Sequence, residues 1–182
     1  MPPLRADARE NRRRILEAAD AVFLERGPQG STEEVAARAA VGIATVFRHF
    51  PTKRDLLEEV VARRLELLAV HADECLAAPD PAFFAFVESV VADAPGKVAL
   101  AELLIAEGGG EGRAEEAARG LRERFARLLA RAQEVGAVRT DVEPDEAWAL
   151  VVATARAATR LQPSGVARVI EVLAAGLRPP TA

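Results

Sequence analysis

The sequence predicts an all-α protein of about nine helices, with a three-helix N-terminal domain followed by a larger helical domain. Apolar residues recur at helical spacing, and the alternation typical of strands is absent. Ala, Leu, Arg and Glu, which favour helices, are abundant. With 182 residues, half of them hydrophobic, the chain is long enough to bury a sizeable core.

The first predicted helix runs from about Asp7 to Arg26, where Gly27-Pro28 ends it. A cluster of arginines crowds its start: Arg5, Arg9, Arg12, Arg13 and Arg14. Two interpretations of this cluster stay open. It forms the solvated face of a helix, or it forms a flexible basic arm that meets DNA phosphates or a minor groove.

Two short helices follow. Ser31 and Glu34 have the spacing of a capping box, which predicts a helix that starts near Ser31. Turn residues then occupy the stretch from Ala40 to Gly42. A third helix is predicted over Ile43–His49, and Pro51 ends it. Two short helices joined by a tight turn, after one long helix, are typical of a helix-turn-helix.

The rest of the chain is also divided by capping residues, Pro and Gly. Thr52 and Asp55 resemble a capping box that opens a fourth helix, to about Ala77. Asp80 and Pro81 suit the start of a fifth, and Pro95-Gly96 separates it from a sixth. The fifth and sixth helices are predicted at roughly 81–93 and 97–107. Three more follow at roughly 113–135, 144–161 and from Pro163 to about Leu177. Val135 lies on the apolar stripe of the first of these three. Residues 147–153 are apolar on every side, so that helix must be covered on more than one face.

Charge and composition narrow the class of protein. Residues 1–64 hold 12 Lys and Arg against 10 Asp and Glu, whereas residues 65–182 hold 12 against 18. This asymmetry favours an N-terminal end that binds an acidic partner. No stretch is long and apolar enough to span a membrane, and Met1 to Arg14 lacks an apolar signal region, so we expect a cytoplasmic protein. Cys75 is the only cysteine, which excludes an intrachain disulfide.

The third helix has the pattern that a DNA major groove requires. Val46 and Phe50 are four residues apart and share an inner face, which leaves Arg48 elsewhere on the helix surface. An arginine in this place can donate two hydrogen bonds to a guanine edge. Thr45, His49 and Lys53 are suited to phosphate oxygens.

The chain resembles the TetR family of transcriptional regulators in three segments: RRRILEAADAVFLERG (12–27), STEEVAARAAV (31–41) and TVFRHFPTKRDLLEEV (45–60). The last segment is the most specific. The resemblance implies a DNA-binding domain at 1–52 and an effector-binding and dimerisation domain at 53–182. It further implies a homodimer formed through the last two helices, about 144–177, and a repressor that a small-molecule effector releases from a palindromic operator.

The resemblance also assigns DNA contacts. Phosphate contacts fall on Thr32, Thr45, Phe47, His49 and Lys53, and base-facing positions fall on Glu33, Ile43, Ala44 and Arg48. For Glu33 a solvated, capping-region carboxylate is the competing interpretation. Three departures stand out: Phe47 replaces a Tyr, Ala40 replaces the turn Gly, and Gly42 replaces a capping Ser. Ala40 costs on the order of 1 kcal/mol if its backbone is left-handed.

The middle helices of this family enclose a small-molecule pocket, which the resemblance places in the second domain. The residues that we expect to line it are His71, Cys75, Phe83, Phe86, Leu104, Phe125 and Trp148. Ordinary core packing is the competing interpretation for each. His71 and Cys75 are four residues apart, but two ligands are too few for a metal site, so no metal or cofactor is expected.

Other functions fit the sequence less well. A di-iron bundle needs Glu three residues before His, but Leu68 holds that place before His71 and Val46 holds it before His49. No G-x-S-x-G or H-E-x-x-H motif is present, so an enzyme is not expected. A helical interaction protein that binds no DNA stays open, because Phe47, Ala40 and Gly42 depart from the family pattern.

Overall fold

A computed structural model of the chain describes residues 3–78, 82–92, 94–108 and 112–180. Within these ranges all regular structure is helical, as the sequence predicts. The α-helices are α1 (Pro3–Arg26), α2 (Thr32–Arg38), α3 (Ile43–His49), α4 (Lys53–Ala77), α5 (Phe83–Ala92), α6 (Ala94–Ala106), α7 (Arg113–Glu134), α8 (Pro144–Ala158) and α9 (Pro163–Leu177), with a 3-10 turn at Gly27–Gln29. Within the described ranges no helix is both long and apolar enough to cross a bilayer.

The helices form two compact units. The first unit contains Met1–Arg63 and Ala99–Glu115, and the second contains Arg64–Val98 and Glu116–Ala182. The first unit therefore contains the three N-terminal helices, the start of α4, the later part of α6 and the start of α7. Whether residue 52 separates independently folding domains stays a prediction.

The core of the first unit is built on the inner faces of α1, α2 and α3. Ile15 and Phe23 of α1, Val35 of α2 and Val46 of α3 are at most 1% exposed. Each such side chain contributes about 1.5–3 kcal/mol to stability through removal of its apolar surface from water. Burial on these faces fixes how α3 is rotated, and so which residues it presents outward.

Local signals set the helix ends in the first unit. Gly27 has φ +54°, and α1 ends there. Ser31 and Glu34 form the expected capping box, with each side chain bonded to the backbone N–H of the other. Thr52 and Asp55 do the same before α4: the Thr52 N–H donates to Asp55 and the Asp55 N–H donates to Thr52, at 3.0 and 3.1 Å.

The core of the second unit gathers apolar residues of α4, α5, α7, α8 and α9. Helix α5 packs against α8 and α9. Arg131 of α7 donates to the carbonyls of Leu76 and Ala78, where α4 ends. A cation there is favourable because the last carbonyls of a helix lack backbone donors. Gly136, with φ +73°, follows the end of α7.

Several boundary predictions were wrong. Helix α1 begins at Pro3 rather than Asp7, α5 begins at Phe83, and α8 ends at Ala158. Pro95 and Gly96 lie inside the first turn of α6 instead of separating two helices. Pro is tolerated there because the backbone N–H groups of a first turn have no hydrogen-bond acceptor within the helix. Val135 follows the last residue of α7 and is 59% exposed. The predicted cap at Asp80 and Pro81 lies outside the described residues.

Candidate nucleic-acid interface

Helix α3 turns two apolar residues inward and the rest of its surface outward. Val46 is fully buried and Phe50, directly after the helix, is 3% exposed. Ile43, Ala44, Phe47 and Arg48 are exposed, while Thr45 and His49 are half-buried. Every position that the sequence assigned to DNA on this helix therefore has surface available to a partner.

Arg48 and Thr45 lie on one face of α3. The Arg48 Nη2 atom is 3.3 Å from the Thr45 hydroxyl oxygen, which accepts a hydrogen bond from it. This neutral partner holds the guanidinium along the helix without neutralising its charge. The arrangement leaves the other guanidinium donors for an acceptor outside the helix, such as a base edge or a phosphate.

His49 is positioned at the end of α3 beside cationic groups. Its ring centroid is 6.3 Å from that of Phe50. Burial lowers the pKa of His49, and the nearby charges of Arg48 and Arg12 lower that pKa further. The ring is therefore mainly neutral near pH 7, because its ordinary pKa of 6.5 is already below that pH.

Lys53 begins α4 and is held by the rest of the first unit. Its Nζ lies 3.4 Å from Oε1 of Glu107, which follows α6. The same Nζ is 5.8 Å from the centroid of the Phe23 ring, within range of a cation–π interaction. A phosphate at Lys53 would therefore compete with the Glu107 carboxylate for the same ammonium group.

The predicted DNA residues of α2 are engaged at the start of that helix. Thr32 is 8% exposed, and its hydroxyl is 3.4 Å from Oε2 of Glu33. The backbone N–H of Glu33 is the largest cause that lowers the pKa of its carboxyl, and the hydroxyls of Ser31 and Thr32 add to it. This is the arrangement of a capping-region carboxylate, although Glu33 stays exposed.

The arginine cluster is part of α1 and not a flexible arm, because the helix begins at Pro3. Arg12 pairs with Glu59 and lies over the Phe50 ring, 5.2 Å from its centroid. Arg13 pairs with Glu10 and Glu17 on the exposed side of the helix. Arg12 thus connects α1 to α4 and to Phe50, whereas the ion pairs of Arg13 lie within α1 itself.

The three departures from the family pattern have structural consequences. Ala40 has φ +52°, so a side chain occupies the left-handed position that favours glycine. Gly42 is the N-cap of α3 and supplies no side-chain acceptor. The Phe47 ring is 42% exposed and has no hydroxyl to offer a phosphate. None of the three disrupts α3, which spans the predicted residues Ile43–His49.

Comparison with known proteins identifies the family. The model for bacterial regulatory proteins of the tetR family matches residues 15–60, and the model for the C-terminal domain of SbtR-like transcriptional regulators matches residues 78–179. The TetR transcription regulatory protein of Mycobacterium vanbaalenii has a crystal structure that aligns with a TM-score of 0.76. It is 37% identical over 97% of this chain and 100% of that one. The chain belongs to the TetR family of transcriptional regulators.

Two further proteins that are similar to this chain are also transcriptional regulators. A TetR transcriptional regulator of Streptomyces coelicolor is 26% identical, with a TM-score of 0.73 over 93% of this chain and 99% of that one. An HTH-type transcriptional regulator of Staphylococcus aureus (strain USA300) is 39% identical over 69 residues, which are 37% of each chain. The match with this curated relative thus spans little more than a third of its length. Together these likenesses establish a transcriptional regulator with a DNA-binding helix-turn-helix.

In this TetR-family chain, the residues predicted to line a ligand pocket separate into two groups. Five of them belong to one apolar cluster in the second unit: Cys75, Phe83, Phe86, Phe125 and Trp148. His71 lies beside this cluster, with its ring centroid 5.9 Å from that of Phe86. Phe125 is central, with ring centroids 5.5 Å from Phe83, 6.4 Å from Phe86 and 5.1 Å from Trp148. Leu104 is 3% exposed but belongs to the first unit, so it is not a member of this cluster.

His71 and Cys75 meet on one face of α4, as their spacing predicts. The Cys75 Sγ atom is 3.8 Å from His71 Nε2, and His71 Nδ1 is 3.4 Å from Glu74 Oε2. Burial raises the pKa of the Cys75 thiol, and the Glu74 charge raises it further, so the thiol stays protonated at neutral pH. No group of three or more metal-ligating side chains occurs in the described part of the chain.

Sequence reasoning missed the polar partners of the helix-turn-helix. Glu107 lies 54 residues from Lys53, and Glu59 pairs with both Arg12 and Arg113. A second carboxylate of α4, Glu58, accepts a hydrogen bond of 3.3 Å from the Ala114 N–H, at the start of α7. No motif signals these contacts, because charged residues on separate helices pair only once the fold has brought them together.

Proposed function

We propose that this TetR-family regulator is a repressor, released from a palindromic operator when a small-molecule effector binds. The observation that carries the proposal is the geometry of α3. A fully buried Val46 fixes the helix in the first unit while Arg48 and its neighbours face solvent, which is what insertion into a major groove requires. We place the protein in the cytoplasm, with the DNA that it binds.

The DNA contacts divide into two classes with different consequences. Base-facing roles are proposed for Ile43, Ala44, Arg48 and Glu33, and phosphate-facing roles for Thr32, Thr45, Phe47, His49 and Lys53. The base-facing side chains confer sequence preference, whereas the phosphate-facing ones fix orientation and supply the salt-dependent part of the affinity. Phe47 contributes apolar contact only, since it lacks a hydroxyl.

A homodimer formed through α8 and α9 supplies the second reading helix. Leu150 of α8 is 48% exposed and Val172 of α9 is 67% exposed, so each helix carries large apolar residues that its own chain leaves uncovered. Residues 147–153 were expected to be covered on more than one face, and a partner copy would complete that cover. Two-fold symmetry then requires a palindromic operator with half-sites about 34–36 Å apart or a multiple of that distance.

The proposed effector site is the aromatic cluster of the second unit. The side chains of this cluster are apolar apart from the Cys75 thiol and the indole of Trp148, and the adjacent His71 offers ring nitrogens. FadR of Bacillus subtilis, which shares the fold at 17% identity and a TM-score of 0.66, was crystallised in complex with stearoyl-CoA. An effector releases DNA only if it binds better to the state whose reading helices do not fit the operator.

An electrophoretic shift assay with the purified full chain tests the regulator function. The probe is the DNA upstream of the gene for this protein, and a duplex of scrambled sequence is the control. We expect tighter binding to the upstream duplex and a steep loss of affinity as salt rises. Equal binding to both duplexes at every salt concentration would contradict the proposal.

Sedimentation of a Val172→Glu variant tests the dimer. A charge at this exposed position of α9 should convert the dimer into a monomer and weaken operator binding. The matched control is Leu67→Glu, since Leu67 is 62% exposed and lies on α4. Dimers that persist in the Val172→Glu variant would place the interface elsewhere.

A further inference from the structure

The turn between α2 and α3 is an αL helix end of the Schellman type, but with alanine where glycine is usual. The Val41 N–H donates to the Ala36 carbonyl at 3.0 Å and the Ala40 N–H donates to the Ala37 carbonyl at 3.1 Å. Ala40 holds the left-handed position, with φ +52°. This geometry uses the carbonyls of Ala36 and Ala37 and leaves those of Ala39 and Ala40 to find donors elsewhere.

Arg14 of α1 supplies that donor. Its Nη2 atom donates to the Ala39 carbonyl and, at 2.8 Å, to the Ala40 carbonyl. A guanidinium at the C-terminal end of α2 also faces the negative end of the helix dipole. Arg14 is half-buried and follows Arg13, whose guanidinium pairs with carboxylates on the exposed side of α1. Arg14 therefore bonds to the backbone of the α2–α3 turn, whereas Arg13 next to it pairs with carboxylates of its own helix.

The orientation of α3 depends on this turn. Helix α3 begins at Ile43, only three residues after Ala40, and its N-cap is Gly42, which has no side chain to fix the first turn. A change in the backbone conformation at Ala40 would therefore change the orientation of α3. Loss of orientation reduces base contacts more than phosphate contacts, because hydrogen bonds to base edges need defined geometry.

From this geometry we propose that Arg14 is a positioning residue for DNA recognition, which holds the α2–α3 turn in its left-handed form and does not itself bind DNA. The proposal rests on the proposed reading role of α3. The competing role for Arg14 is that of a phosphate ligand. Arg14 borders an open depression with Glu17 and Arg38, so an anion could reach it.

The test compares sequence discrimination with salt dependence in the full-length protein. Wild-type protein first selects a duplex from a random-sequence pool, and a scrambled duplex serves as the non-specific probe. Failure of the wild-type protein to select any sequence would count against the reading role of α3, separately from the role of Arg14. The variants are Arg14→Met, which keeps the length of the side chain without its donors, and Arg13→Met, which makes the same change in charge next to it.

We expect Arg14→Met to lower the ratio of selected to scrambled binding by about tenfold, the equivalent of one hydrogen bond to a charged group. The slope of log K against log salt should stay unchanged, and Arg13→Met should preserve the ratio. Equal weakening on both duplexes, with a slope shallower by about one, would make Arg14 a phosphate ligand and overturn the proposal. An unchanged ratio would overturn it as well.

A second substitution tests the mechanism through the turn. Ala40→Gly removes the steric cost of the left-handed backbone, so it should restore part of the lost discrimination in the Arg14→Met background. No recovery in the folded double variant would contradict the positioning role. If Arg14→Met does not fold, Arg14→Lys takes its place, because lysine keeps the charge but not the fork of donors. We then expect a reduced ratio with an unchanged slope, and an unreduced ratio would contradict the proposal.

Discussion

The two units of this regulator put their candidate functional residues in opposite environments. In the first unit, those on α3 lie at the surface, anchored by a buried Val46 and Phe50. In the second unit, most of them are part of the core, where Phe125 contacts three other aromatic rings, and only His71 and Trp148 are half-buried. We therefore expect that the candidate DNA-contact residues of α3 can be substituted without loss of the fold, whereas substitution of the buried candidate effector residues should destabilise it.

The sharpest test of this contrast is Phe125→Ala. Loss of a fully buried aromatic side chain from the second unit should reduce the free energy of unfolding by about 3–5 kcal/mol. Urea denaturation followed by circular dichroism measures the loss. The control is Val135→Ala, which changes an exposed residue after α7 and should stay within about 0.5 kcal/mol of the wild type. A loss below about 1 kcal/mol for Phe125→Ala would mean that the aromatic cluster is not tightly packed.

Substitutions on the surface of the first unit should change DNA binding and leave stability nearly constant. Arg48→Ala should cost about 1–3 kcal/mol of discrimination between the preferred sequence and its variants, while Lys53→Ala should weaken all sequences alike. Fluorescence anisotropy titrations with a panel of single-base variants separate the two effects. If Arg48→Ala keeps both affinity and preference, α3 is not the reading helix.

The ion pair between Lys53 and Glu107 leads to a prediction of increased DNA affinity, whereas Arg48→Ala and Lys53→Ala are expected to weaken binding. Glu107→Gln removes the carboxylate that competes with phosphate for the Lys53 ammonium. Affinity for every duplex should therefore rise by a few-fold, since an exposed ion pair is worth about 0.2–1 kcal/mol. The same titrations measure it, and the double variant Lys53→Ala/Glu107→Gln should show no gain over Lys53→Ala alone.

The local signals were enough to predict α3 but not the whole of the first unit. Gly42 and Pro51 flank α3, and a capping box precedes α2, so these helix boundaries depend on residues that are close in sequence. The start of α1 was predicted at Asp7, too late, although Pro3 suits a first helical position. The contact between Arg14 and Ala40 spans 26 residues, and no spacing rule predicts it.

The second unit was predicted less completely for the same physical reason. Pro95-Gly96 is a typical helix-breaking pair, but the two residues lie in the first turn of α6, where Pro is tolerated. Leu104 and Phe125 have the same apolar character, so composition could not show that they lie in different units. Membership of an apolar core is decided by the packing of distant helices, which sequence periodicity does not record.

Backbone strain at Ala40 gives a prediction about stability whose cause is local to the turn. Ala40→Gly should raise the free energy of unfolding by about 1 kcal/mol, because glycine accepts φ +52° without steric cost. Thermal or urea unfolding measures this change. The matched control is Ala37→Gly, the same substitution at an exposed residue within α2, which should destabilise by a comparable amount. Destabilisation by Ala40→Gly would contradict the strained turn.

A further prediction concerns the pH dependence of DNA binding. Burial and the charges of Arg48 and Arg12 depress the pKa of His49 in the free protein, whereas a nearby phosphate would raise it. DNA binding should then take up a proton, so affinity should rise as pH falls from 7.5 through 6.5, by less than tenfold per pH unit for one proton. His49→Gln should flatten this dependence in anisotropy titrations.

The stability of the free protein should respond to pH in the other direction. Because the folded-state pKa of His49 lies below the ordinary value of 6.5, the unfolded chain binds its proton more readily. The contribution of His49 to the free energy of unfolding is therefore complete above about pH 6.5 and declines as pH falls below it. The same His49→Gln variant removes this part of the pH dependence.

The assignment of α3 as the reading helix is tested by selection of bound fragments from a random DNA pool with the purified full chain, followed by sequencing. We expect enrichment of one two-fold palindrome, because two copies of α3 in a dimer would read equivalent half-sites. The Arg48→Ala variant should enrich a degenerate form of the same palindrome. A pool that gains no sequence in common after selection, with the folded dimer present throughout, would contradict the assignment of α3 as the reading helix.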